Sequence, residues 1–121
     1  MRWMLSGCLL AWALSSAAAP VPPAARAEID ALLAKLQSSG CTFNRNGTWH
    51  GADEAQAHLR RKLEALEERN VVQTTEQFIA LGASTSSVSS KPYLVKCGGG
   101  TPVESRVWLT NELKALRSKA K

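Results

Sequence analysis

Four stretches of the chain place apolar residues at helical spacing. Ile29, Leu32, Leu33 and Leu36 follow the i, i+3, i+4, i+7 rule, which predicts a helix over 25–38 with one buried stripe. Gly40 supplies a positive-φ stop after it. The preceding "PVPPAA" (20–25) reads as an extended lead-in, because prolines are excluded from a helix interior. Ala55, Leu59, Leu63 and Leu66 mark a second, longer helix over about 52–69, with Gly51 before it and Asn70 after it. Asp53 and Glu54 fall in its first turn, toward the positive end of the helix dipole. A third, short helix is predicted in "TTEQFIALG", where Thr74 and Gln77 fit a capping box and Phe78, Ile79 and Leu81 would face inward. A fourth is predicted from the run Thr101-Pro102-Val103-Glu104, which combines a capping threonine, proline at the first helical position and glutamate at the third. Trp108, Leu109, Leu113 and Leu116 give it an apolar face, and a basic tail that would fray follows.

Between these helices the spacing changes. "CTFNR" and "TWH" flank Asn46-Gly47, the commonest two-residue hairpin signal. Two short strands are therefore predicted, or else one strand followed by a loop into the next helix. "ASTSSVSS" (83–90) reads as a polar loop. "KPYLVKC" reads as a strand with Pro92 at its start, where a missing donor matters least, and "GGG" (98–100) is its flexible exit. The predicted order is α-β(β)-α-α-β-α. That order implies an α+β fold: a single small domain over 26–118, its short antiparallel sheet covered by about four helices. Residues 119–121 form the end of the basic tail.

The remaining long apolar run is at the N-terminus. "MRWMLSGCLLAWALSSAAA" has one basic residue, Arg2, then an apolar stretch over 3–14, then small residues, which is the order of a secretory leader. The stretch falls short of the ~20 residues of a spanning helix, so a stable membrane anchor is not expected. The leader is assigned to 1–19, with cleavage between 17 and 27. "LSGC" has the letters of a lipoprotein box, but most of the apolar run follows Cys8 instead of preceding it. Export to the periplasm is the expectation.

Loss of the leader would also remove Cys8 and leave two cysteines, Cys41 and Cys97. In an oxidising compartment such a pair is read first as a disulfide. A zinc site would want four ligands at close spacing, and there is no Cys-x-x-Cys. No metal and no cofactor is expected.

At 121 residues, 45% hydrophobic and 21% charged, the composition is ordinary for a globular chain and points to neither disorder nor repeats. The net charge of +5 falls to about +4 without Arg2. An exported chain does not normally meet nucleic acid, so this excess suits acidic envelope polymers or solubility.

Candidate chemistry is confined to polar residues. Arg45, Asn46 and Gly47 could present a guanidinium and an amide on a tight turn, able to grip a carboxylate or a sugar. Alternatively, Arg45 merely covers the sheet edge. His58, Arg61 and Lys62 lie beside the apolar stripe of the second helix and with Arg45 could form a basic pocket. In the plainer reading His58 pairs with Glu54 one turn earlier. Ser87 and Ser89 could donate hydrogen bonds from the polar loop, with Tyr93 as a neighbouring platform. The serines match neither a Ser-x-x-Lys spacing nor a Gly-x-Ser-x-Gly elbow, and no other enzymatic signature is present.

The motifs "FNRNGTWH", "HLRRKL", "TTEQFI" and "SSKPYLV", in this order across about 40–95, resemble the YfeK-like family of small exported proteins of Gram-negative bacteria. Where such proteins often have serine or threonine before the second helix and glycine before the lysine, this chain has Gly51 and Ser90. The resemblance implies export and a single domain of unknown function. It implies no reaction. Taken together, the sequence suggests a non-enzymatic binding or interaction module for an envelope ligand or partner. The alternatives are a small hydrolase using a loop serine with His58 as base, or a purely structural, stress-tolerance protein.

Overall fold

The first helix, α1 (Pro23–Ser38), starts two residues earlier than its apolar stripe requires. The "PVPPAA" segment is thus only partly extended. Pro22 takes the extended cap conformation, and Pro23 occupies the first turn, where its missing N–H would have no helical partner anyway. The computed structural model describes residues 20–119 together with Gly7, so most of the expected leader lies outside the described residues. Ile29, Leu32, Leu33 and Leu36 are all buried, as their spacing predicts. Gly40 ends the helix with a φ of 71° and turns the chain into the sheet.

The hairpin alternative with two strands is the one adopted: β1 (Thr42–Arg45) pairs antiparallel with β2 (Thr48–His50). Asn46 and Gly47 have φ of 54° and 84°, the pair of positive values that a two-residue I′ turn demands. The Gly47 N–H donates to Asn44 Oδ1 at 3.1 Å and closes the turn.

Helix α2 (Ala52–Glu68) buries Ala55, Leu59, Leu63 and Leu66. Its flank is tied to α1 by ion pairs from Arg26 to Glu67 and from Arg60 to Asp30. Helix α3 (Thr75–Gly82) opens with the expected reciprocal cap between Thr74 and Gln77. Its inward stripe is Thr75, Phe78, Ile79 and Gly82, so Leu81 points away and is 52% exposed, contrary to the inward position predicted for it. Position 81 lies off the i, i+3, i+4, i+7 line that starts at Thr75. Gly82 allows close packing: a Cβ there would stand 3.0 Å from both Leu66 Cδ1 and a Phe78 ring carbon.

The run over 101–104 does not start the last helix. Strand β3 (Leu94–Lys96) takes Val103 and Glu104 as a further strand, β4 (Val103–Glu104), pairing Leu94 with Glu104 and Val95 with Val103. Helix α4 (Ser105–Lys119) begins only afterwards, and the Ser105 N–H donates to the Tyr93 carbonyl at 2.8 Å. The physical reason is that Val103 and Glu104 fill the ladder edge of β3, so their backbone groups find partners in the sheet and not in a helix turn. Leu109 and Leu113 are buried on α4, with Trp108 and Leu116 at the boundary. The tail does not fray within the described residues. Arg117 is held by Glu28 of α1 at 2.8 Å and by Glu76 of α3, and Thr75 donates to the same Glu28 at 2.6 Å.

The sheet order is β2-β1-β3-β4, all antiparallel, with Phe43 and Val95 of the central strands buried in the core. Cys41 and Cys97 are joined by a disulfide, with Cα atoms 4.2 Å apart, beside the Thr42–Lys96 pair of β1 and β3. Its loop spans 56 residues of sequence separation. Loop-closure entropy makes that worth about 4 kcal/mol at most. Among the described residues the fold is thus a single α+β domain of four helices and a four-stranded sheet. Among the described residues no helix is long and apolar enough to cross a membrane.

Candidate functional site

Tyr93 links the sheet to α2. Its N–H donates to the Ser84 carbonyl at 2.9 Å, and its ring packs on Phe43 with centroids 5.0 Å apart. The residue is only 1% exposed, so it is a buried strut and not the surface platform predicted for it. Only its hydroxyl emerges toward polar neighbours. Tyr93 Oη stands 3.1 Å from His58 Nε2 and accepts from Lys62 Nζ at 3.0 Å. Lys62 also donates to the Thr85 carbonyl at 3.1 Å and lies 5.0 Å from the Tyr93 ring centroid.

On the other side of the imidazole, Arg45 Nη1 is 2.5 Å from His58 Nδ1. A guanidinium can only donate, so Nδ1 must be the acceptor. The proton of the neutral ring is then on Nε2, and it donates to Tyr93 Oη. Burial, reinforced by the charges of Arg45, Lys62, Arg61 and His50, pushes the His58 pKa down to about 4. His58 is therefore neutral near pH 7. Its predicted pairing with Glu54 does not occur: Glu54 instead meets His50 at 2.8 Å, because His58 is turned toward β1 and the core.

The other predicted residues divide into two groups. Ser89 Oγ donates to Asn46 Oδ1 at 2.5 Å, joining the polar loop to the hairpin turn at an exposed crossing. The loop itself is internally braced. Ser86 Oγ accepts from the N–H groups of Val88 and Ser89, and Thr85 bridges to Pro92. Ser87 stands apart from that crossing. It faces α2 across an open cleft of about 280 Å³ lined by His58, Arg61, Lys62, Ala65, Leu66, Arg69, Leu81 and Ser87. Of the seven predicted residues, His58, Lys62 and Ser87 line this cleft, Arg45 and Tyr93 brace it from behind, and Asn46 and Ser89 lie outside it.

Arg69 and Leu81 were not foreseen. Arg69 follows Lys62 by seven residues and Ala65 by four, so a second stripe along α2, beside the apolar one, was legible. Leu81 could not be assigned until the facing of α3 was known.

The charges around the cleft stand out from those elsewhere. Arg26, Arg60, Arg106 and Arg117 each meet a carboxylate. Among the described residues Arg45, Arg61 and Arg69 meet none, and all three lie in or directly behind the cleft. Among the described residues no carboxylate lines it. Such a site can hold an anionic group through forked, charge-assisted hydrogen bonds while apolar atoms rest on Leu66 and Leu81. Among the described residues no serine hydroxyl is bonded to a histidine, and no group of three metal-ligating side chains forms.

A family of unknown function (DUF5329) matches residues 23–117. The chain is also 48% identical over 68 residues to the uncharacterized protein YfeK of Salmonella typhimurium. That alignment covers 55% of this chain and 55% of the relative, so the chain spans about half the length of the curated protein it matches. No solved structure matches.

Proposed function

The chain belongs to the DUF5329 family, and on that premise we propose that it is a non-enzymatic binding module, exported to the periplasm, whose α2 cleft captures an anionic envelope ligand. The observation that carries the reading is the arrangement of the arginines: among the described residues Arg26, Arg60, Arg106 and Arg117 each meet a carboxylate, while Arg61 and Arg69 in the cleft meet none and Arg45 behind it bonds only to the neutral His58. Lys62 is held in place by Tyr93 and Thr85, so its charge is positioned before a ligand arrives. Preorganised donors lose less entropy on binding. Export is supported by the leader-like N-terminal sequence and by a disulfide, which persists in oxidising compartments.

The test is a calorimetric titration of the oxidised protein with muropeptides and with phosphorylated envelope glycans. Replacing Arg61 and Arg69 together by alanine removes two charge-assisted contacts, each worth about 1.5–3 kcal/mol. At least a tenfold loss of affinity is expected, together with a shallower salt dependence. A Lys35→Ala, Lys114→Ala control on α1 and α4 should bind as the parent does. If the double arginine variant binds every such ligand as tightly as the parent, the proposed site is wrong.

A further inference from the structure

We infer that the occupant of this cleft is a dianion: two anionic groups about 10 Å apart on an apolar spacer. This rests on the cleft reading above and adds a length and a polarity to it. Arg61 and Lys62 stand at one end of the α2 wall, and Arg69 stands seven residues beyond Lys62. At 1.5 Å per residue the two cationic ends are about 10 Å apart along the helix axis.

Between them the lining is apolar. Ala65 and Leu66 form the floor, and Leu81 faces them across the cleft with half of its surface open. The two ends also differ in kind. At the first, two of the three Lys62 ammonium donors are taken by Tyr93 and Thr85, which leaves one for a ligand in a cleft that Arg61 and Ser87 also line. At the second, Arg69 offers a planar fork suited to two oxygens of one carboxylate or phosphate. A ligand with one anionic group satisfies one end only. A fully charged polymer would set its middle charges against Leu66 and Leu81. An apolar spacer with an anion at each end matches both the charge and the apolar lining along the whole wall.

The test uses linear alkane dicarboxylates from succinate to dodecanedioate, a parallel series of alkane bisphosphonates, and the matching monocarboxylates. All are titrated at fixed ionic strength into the oxidised full chain. Affinity should pass through a maximum near azelate and decanedioate, at least tenfold above succinate and above decanoate. Arg69→Gln should lower the best dianion at least tenfold and abolish the length optimum, whereas Lys114→Ala on α4, outside the cleft, should change neither. Affinity that ignores chain length, or monoanions that bind as tightly as dianions, would overturn the two-point inference while leaving anion capture intact. If neither series binds at any length, the cleft reading itself fails and the inference with it.

Discussion

The clearest energetic consequence of the site is the pH dependence set by His58. Its pKa is depressed from an ordinary 6.5 to about 4, first by burial and then by the cations around it. Between those values the unfolded chain takes up more protons than the folded one, so stability rises with pH across the window. The contribution is complete above pH 6.5 and is lost as the pH falls to about 4. The undiscounted shift corresponds to about 3 kcal/mol. The ring is only half-buried and solvent screens part of the interaction, so ~1–2 kcal/mol is the expected size. His58→Gln isolates the effect: the amide oxygen can accept from Arg45 and the amide nitrogen can donate to Tyr93, but the group does not titrate. Glu28 also contributes an acid-sensitive term, because Arg117 and Thr75 hold its carboxyl below the usual value, but that term is common to both proteins. Urea unfolding of the parent and the variant from pH 7 to pH 4 should show the gap between them changing by ~1–2 kcal/mol. With a slope of about 2 kcal/mol per molar urea, the relative shift in midpoint is about 0.5–1 M. Parallel stability profiles across that range would refute the reasoning, as would an NMR titration placing the His58 midpoint near 6.5.

Two further perturbations test the frame that carries the cleft. Replacing Cys41 and Cys97 together by alanine removes the cross-link between β1 and β3, and the urea midpoint should fall by up to about 2 M, with a loss of about 4 kcal/mol at most. A change under 0.5 M would mean that the bridge contributes little beyond the strand pairing. Gly82→Ala drives a methyl against Leu66 and Phe78, so it should destabilise by about 1–3 kcal/mol despite alanine's better helix propensity, as read by thermal unfolding. A stabilised variant would show that the Leu66 and Phe78 side chains give way to the methyl.

The sequence made some parts of this structure plain and left others hidden. The stripes of α1 and α2, the I′ turn at Asn46-Gly47 and the Thr74–Gln77 cap depend on local chemistry, and each is where its residues predict. The start of α4 differs from its local cue: a capping threonine and a proline outline a helix turn, whereas the edge of β3 takes Val103 and Glu104 into the sheet. Leu81 lies off the predicted face because an eight-residue helix carries too few apolar positions to fix its own rotation. The convergence of Arg45, His58, Lys62 and Tyr93 followed from the disulfide, which sets β1 beside β3 and so brings residues from three separate segments together. Their division into cleft wall and supporting layer was not legible, since it depends on Tyr93 being buried against Phe43 with its hydroxyl meeting His58 and Lys62 of α2.

The central claim is that the face of α2 between His58 and Arg69 is where this protein meets its ligand. Amide shift mapping of the isotopically labelled, oxidised protein titrated with decanedioate tests it most directly. The account predicts saturable shifts concentrated at Arg61, Lys62, Ala65, Arg69, Leu81 and Ser87, with smaller ones at Arg45 and Tyr93. Shifts gathered instead in the groove between α1 and α4, around Lys35 and Lys119, or in the groove between α3 and α4, around Arg106, would contradict it.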